Sequence, residues 1–380
     1  MVELLHEFLC NYRRFLKLSE WFLKNNRFLP VTEDKPYLIP DVKIGVTPRV
    51  EISSDNGVKL FRYEPRTEKQ FEVPVLIVYA LINKPYILDL SPQRSVIRKL
   101  LDAGFNVYLV RWGDATVADQ FSLDSYIDIF LYDFIEDVKS DAKSDKVSIL
   151  GYCMGGGISA IYAALYPEKV KNIIFLASTL YFDKSIGKFV TLSDKRFFNP
   201  EEVVAPFGYV PSWFLTERFK ILEPWENYVG KYVNLFLNAE DENFLDDFFR
   251  MERWIHDGVN VAPGAYVRYN QELYQNNALA EGKLYVKGKR VDPKRITMPT
   301  AAIVGLRDHL APPDCTLKFL DCIGSKDKAV FKADVGHVGL VVSRRGMALW
   351  DDVAKWLAQR SGELKKTRER AECLSQEQLR

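Results

Sequence analysis

Along most of the chain, apolar and polar positions follow two alternating grammars. Val75-Leu76-Ile77-Val78-Tyr79, Phe105 to Val110, Lys146 to Leu150, Val170 to Ala177, Thr300 to Val304 and Ala329 to Lys332 are short runs rich in apolar and β-branched residues. Runs of that length and composition predict strands, with Val75–Tyr79 reading as a central parallel strand and Lys146–Leu150 as a buried one. Between them, Leu90 to Ala103, Leu123 to Lys139 and Ile158 to Leu165 carry helical spacing, with Gly104 and Pro167 as stops, and a further helix is expected from about Met347 to Arg360. Strand alternating with helix predicts an α/β fold around a mostly parallel sheet. Ahead of the first central strand, Val50 to Ser53 and Val58 to Tyr63 flank Asp55-Asn56-Gly57, a hairpin signal.

The rhythm breaks between Ser178 and Met298. That stretch is rich in aromatics and amphipathic helix pattern, Asn243 to Ile255 for example, and shows no β-α alternation. It is too long for a loop and needs structure of its own. We read residues 178–298 as a large cap inserted over the sheet's C-terminal edge, with the core formed by 41–177 and 299–360. Residues 1–40 read as an amphipathic helix (Leu4, Leu5, Phe8, Leu9, Tyr12, Phe15, Leu16) and a Pro-marked linker through Pro30, Pro36 and Pro40. Residues 361–380 read as a charged tail or frayed helix.

Composition alters this picture mainly by exclusion. Fifty-two basic residues face 51 acidic ones, so nothing marks a nucleic-acid partner. Five cysteines (10, 153, 315, 322, 373) form no C-x-x-C pair, which argues against a disulfide framework or zinc site and for a reducing compartment. The start, Met1-Val-Glu-Leu-Leu-His-Glu, has no signal-peptide order, and no apolar run approaches the roughly 20 residues of a spanning helix. A cytoplasmic protein without metal or cofactor is expected.

The chemistry centres on Gly151-Tyr152-Cys153-Met154-Gly155. It lies between a predicted strand and a predicted helix, the context of a nucleophile elbow. Gly151 and Gly155 supply the missing bulk that so tight a turn needs, and the helix N-terminus favours a thiolate at Cys153. A thiol nucleophile needs a base and a group to orient it. Of four histidines, His337 in Asp334-Val-Gly-His-Val-Gly339 follows the last strand and is the expected base; His309 is the second candidate. His6 and His256 lie on helical patterns that explain them without chemistry. Asp308, after the strand that starts at Thr300, is the expected acid, with Asp334, Asp314 and Asp183 as rivals. The order Cys153, Asp308, His337 is that of α/β-hydrolases. The oxyanion hole is expected from the backbone N–H of Met154 and a second N–H near Ile82. A thiol suits a reaction that passes a retained acyl group to an alcohol or thiol. A non-catalytic protein on the same fold would be expected to show a broken triad, and this one is complete.

Gly-Tyr-Cys-Met-Gly-Gly by itself resembles the elbow of dienelactone hydrolases, which are much shorter chains. The rest of the sequence resembles polyhydroxyalkanoate synthases over roughly residues 40–360, and most resembles the catalytic subunit of the class III enzymes. The matching segments are Tyr79 to Asp89, Arg250 to His256, Leu273 to Asn277, Arg307 to Pro313 and Gly336 to Gly339. The resemblance implies polymerisation of an (R)-3-hydroxyacyl-CoA, usually 3-hydroxybutyryl-CoA, through acyl-Cys153, with release of CoA. It implies a second synthase subunit, a homo-oligomer, and residence at cytoplasmic polyester granules. Asp308 then either orients His337 or activates the substrate hydroxyl. Two departures stand out: Met154 where the family usually has Gln, and Arg111 where Asp is expected. A Cys hydrolase or thioesterase is the alternative activity.

Overall fold

An eight-stranded sheet carries everything else in the computed structural model, which describes residues 2–28, 31, 40–182 and 191–366. Its strands are β1 (Arg49–Asp55), β2 (Val58–Tyr63), β3 (Val75–Val78), β4 (Val107–Arg111), β5 (Val147–Tyr152), β6 (Val170–Leu176), β7 (Thr300–Gly305) and β8 (Lys328–Ala333). In space the order is β1-β2-β4-β3-β5-β6-β7-β8. From β4 to β8 all neighbours pair in parallel, whereas β2 runs antiparallel to β1 and β4. This is the sheet of an α/β-hydrolase. Every residue of β3, β5 and β7 is buried, which is why those strands read as unbroken apolar runs rather than alternations. At the β1–β2 turn, Asn56 and Gly57 both have positive φ (47° and 81°), as a two-residue hairpin of this twist requires.

Several boundaries differ from the sequence expectation. Only Val96–Asp102 of the Leu90–Ala103 stretch is helical. Its start is a small hairpin, Asp89–Ser91 against Arg94–Ser95, held by the buried Asp89 carboxylate. That carboxylate accepts from Thr47 N (2.9 Å), Thr47 Oγ1 (2.8 Å) and Ser95 Oγ (2.6 Å). The opening of the expected tail is instead a strand, Leu364–Lys366, paired antiparallel with Lys69–Phe71. Pairing gives its backbone groups partners that a frayed end would leave to water. Tail residues 367–380, with Cys373, lie outside the described residues, as do Pro30, Pro36 and Asp183.

The helices that matter for the site are α1 (Val2–Lys24), α2 (Met154–Leu165), α3 (Ser212–Lys220), α4 (Glu242–His256) and α5 (Arg344–Ala358). Between β6 and β7 the chain forms α3, α4 and shorter helical turns, plus a two-residue hairpin, Tyr285–Val286 with Lys289–Arg290. The α1 helix packs on this segment. Trp21 stacks on Phe249 of α4 at 4.1 Å between centroids and its Nε1 donates to Asp246 at 2.9 Å.

Candidate active site

Cys153 sits in the one-residue turn between β5 and α2 with φ 55° and ψ −123°. A side-chain-bearing residue in that region costs about 1–3 kcal/mol and persists only where its surroundings dictate it. Here they do. Cys153 N donates to Leu176 O (2.9 Å) and Gly156 N to Cys153 O (3.0 Å), while Ser178 Oγ donates to Gly151 O (3.1 Å). A Cβ on Gly151 would stand 2.6 Å from Gly156 Cα; one on Gly155 would stand 2.7 Å from Tyr79 O and overlap Val78 O. The two elbow glycines are therefore required by the backbone packed against them. The thiol is left at the N-terminus of α2, where the dipole favours an anion.

His337 follows β8 in a loop, and Asp308 follows β7. The Asp308 carboxylate has no exposed side-chain surface, and its Oδ2 lies 2.7 Å from His337 Nδ1. Its Oδ1 accepts from Leu310 N (2.9 Å) and Ala311 N (2.8 Å), so both oxygens are engaged. His337 and Cys153 line the same cavity, and Cys153 acts electrostatically on the ring. Burial opposes the imidazolium, yet the charges of Asp308 and Cys153 and the hydrogen bond to Asp308 outweigh it and hold the ring well above the ordinary histidine pKa. A thiol and an imidazole facing one cavity, with the imidazole held by a carboxylate, can remove a proton from a thiol or hydroxyl and return it to a leaving group.

The remaining candidates separate by position. His309 is 60% exposed and stands 3.9 Å from Glu223; it lines the same cavity without joining the triad. Asp334 pairs with Arg307 (3.1 Å) and Arg345 (3.2 Å) at the surface. Asp314 lies in the first turn of the helix Pro313–Cys322. His256 is buried on α4, 3.8 Å from Glu252. Arg111 pairs across from Lys59 at the end of β4 and its charge is felt by Glu51. It is not among the residues lining the cavity.

That cavity, of about 470 Å³, is shared by the two halves of the fold. Cys153, Met154, His337 and the β3–loop residues Ile82 and Asn83 line its floor, with Trp254 and Tyr274 from the helical segment above. Met154 and Ile82 thus face one space from two elements, as a pair of oxyanion donors would have to. No local pattern marks the roof residues as site residues; their signals in sequence are the density of aromatics in 178–298 and the place of Trp254 and Tyr274 within two of the segments that carry the resemblance. Among the described residues, no group of three His, Cys, Asp or Glu side chains converges as metal ligands would. None of these residues is within a helix long and apolar enough to cross a membrane.

Comparisons with known proteins give the fold and the family. A family model for the alpha/beta hydrolase fold matches residues 73–342, and one for the poly-beta-hydroxybutyrate polymerase (PhaC) N-terminus matches residues 24–100. The chain is 43% identical over 330 residues to a poly(3-hydroxyalkanoate) polymerase subunit PhaC of Haloferax mediterranei, an alignment spanning 86% of this chain and 67% of that one. The subunit PhaC of Allochromatium vinosum is 33% identical over 351 residues, 90% of this chain and 98% of that one. Among solved structures, a thermophilic esterase from Thermogutta terrifontis superposes with a TM-score of 0.50 at 15% identity, covering 83% of this chain and 99% of the esterase. At that identity the likeness is one of fold.

Proposed function

This chain belongs to the PhaC family of poly(3-hydroxyalkanoate) polymerases, and from that premise we propose that it builds its polyester through acyl groups carried on Cys153. It is an acyltransferase whose substrate is a hydroxyacyl-CoA and whose product is polyhydroxyalkanoate; the (R)-3-hydroxybutyryl thioester is the proposed monomer. The observation that carries the mechanism is the 2.7 Å contact of His337 with the fully buried Asp308, in a cavity that Cys153 and His337 line together.

In the acylation step the Cys153 thiolate attacks the thioester carbonyl. The new S–C bond forms, the bond to the CoA sulfur breaks, and His337 gives its proton to the departing thiolate. The oxyanion formed on the way is held by the N–H groups of Met154 and Ile82. In the extension step the 3-hydroxyl of an incoming monomer loses its proton to His337 as its oxygen attacks the acyl carbon. An ester forms, the S–C bond to Cys153 breaks, and the lengthened acyl-CoA can reload the thiol. Both Asp308 oxygens are already taken and the residue is absent from the cavity lining. That supports Asp308 as the group that orients and charges His337, with His337 itself as the base for the hydroxyl.

The core is assigned to residues 41–177 and 299–360, beneath a cap of 178–298 that keeps the acyl enzyme from water. A second synthase subunit is proposed to dock on α1, whose Phe8, Tyr12 and Phe15 are 64%, 52% and 59% exposed although its Trp21 is buried. The enzyme is placed at cytoplasmic polyester granules, as a homo-oligomer. The test is incubation of the purified chain with (R)-3-hydroxybutyryl-CoA, with and without a co-expressed second subunit. Insoluble polyester and CoA are expected, faster with the partner, and neither from Cys153→Ala. Free hydroxyacid as the sole product would mark a hydrolase.

A further inference from the structure

The loop after β3 is held from both sides. Below, the carbonyls of Val78 and Tyr79 lie against the bare Cα of Gly155, and Trp112 Nε1 donates to Tyr79 O at 2.8 Å. Above, the contacts come from the end of α4. Trp254 Nε1 donates to Lys84 O at 2.8 Å. Lys84 Nζ donates to Asp257 Oδ1 at 2.6 Å, with side chains only 22% and 10% exposed. Tyr86 adds a hydroxyl donated to Asp257 Oδ2 at 3.3 Å. Burial, then the Asp257 charge, keeps that phenol protonated and so a donor. Next in sequence, Gly258 is bare where a Cβ would come 3.3 Å from Asn83 Oδ1. Asn83 itself is in the left-handed region, φ 61°, which asparagine enters more readily than other residues with a side chain.

We propose that Asp257 is a positioning residue for the oxyanion hole: its ion pair with Lys84 fixes the Ile82–Lys84 loop, and with it the backbone donor at Ile82, to the helical segment that roofs the site. This rests on the assignment of Cys153 and Ile82 above. A half-buried ion pair of this geometry adds little to stability by itself, because desolvation offsets attraction. Its consequence is angular: a carbonyl and an ammonium on one residue, both gripped by α4's end, leave the preceding peptide groups one orientation. An oxyanion donor works only when aimed at where charge develops. Displacement of the roof would therefore turn the donor away, so that the acyl-transfer site is complete only with the roof seated.

The experiment compares wild type, Cys153→Ala, Asp257→Asn and the charge-free double variant Lys84→Met/Asp257→Asn, each as the full chain. Two rates are read: first CoA release from (R)-3-hydroxybutyryl-CoA across substrate concentrations, and alkylation of Cys153 by iodoacetamide. Alkylation passes through no oxyanion and reports on the thiol, His337 and access to them. Expected for both Asp257 variants is a fall in the saturating rate of CoA release by about tenfold or more, below the roughly 10² to 10³ of outright donor loss. The half-saturating concentration and the alkylation rate should stay within about twofold of wild type. The double variant leaves no unpaired charge, so it serves should the single one misfold. Undiminished CoA release overturns the inference, and so does an equal fall in both rates, which would make the pair a general prop of the fold. CoA release from Cys153→Ala would instead defeat the underlying assignment, whatever Asp257 does.

Discussion

His337 Nδ1 stands 2.7 Å from the Oδ2 of Asp308, a carboxylate with no exposed side-chain surface. The pair raises the His337 pKa well above its ordinary value against the cost of burial. A histidine raised in the folded state adds stability that is complete below the unfolded pKa of about 6.5 and lost as pH rises through the folded value. Asp308→Asn is therefore expected to lower the melting temperature most at pH 6 and progressively less at higher pH, as the wild type loses the same proton. It should also shift the imidazole titration to lower pH, observable by NMR. A constant difference across pH would show that the carboxylate does not charge the ring.

The two histidines of the cavity should behave unequally. His337→Gln removes the proposed base and is expected to slow CoA release by about 10² to 10⁴. His309 is 60% exposed and outside the triad, so His309→Gln should cost less than about tenfold. Steady-state rates of CoA release check both, and the reverse order would move the base to His309.

Gly155→Ala is expected to fail as a fold rather than as a catalyst. The added methyl would meet the Tyr79 carbonyl oxygen at 2.7 Å and overlap that of Val78. Both belong to backbone that cannot rotate away. The loss should reach or pass the roughly 3 kcal/mol typical of severe overpacking, read as a drop in melting temperature or absence of soluble protein.

How much of this was legible in sequence depended on whether local pattern and tertiary demand agreed. The central strands were found to within two residues because burial on both faces leaves few polar positions, such as Ser148 and Asn172, to interrupt the run. The start of α2 was missed by four residues. Gly155, Gly156 and Gly157 are poor helix formers, yet Ser178 crowds Gly156 and Tyr269 crowds Gly157, so packing requires glycine in a helical turn. Leu364–Lys366 went unrecognised because a three-residue edge strand has no period of its own; its partner lies nearly 300 residues earlier. Cys153, Asp308 and His337 could be proposed together because each follows a strand, and strand ends share one edge of the sheet. Lys84, Trp254 and Asp257 carry no such marker, since their meeting depends on how the helical segment folds back.

The N-terminal helix is expected to be held mainly by one residue. Trp21 is 4% exposed, stacked on Phe249 and bonded to Asp246. Replacing a buried tryptophan by alanine costs about 3–5 kcal/mol. Trp21→Ala should release α1, seen as rapid hydrogen exchange over Val2–Lys24, while exchange in β3, β5 and β7 stays slow. Continued protection of α1 would mean that other contacts suffice to hold it.

The most direct measurement of all is intact-protein and peptide mass spectrometry after rapid mixing with (R)-3-hydroxybutyryl-CoA and acid quench. A hydroxybutyryl adduct, or a ladder of its oligomers, is predicted on the peptide containing Cys153, appearing with the first CoA released and absent from Cys153→Ala. An adduct on another residue, or CoA release at full rate with Cys153 unmodified throughout, would contradict it.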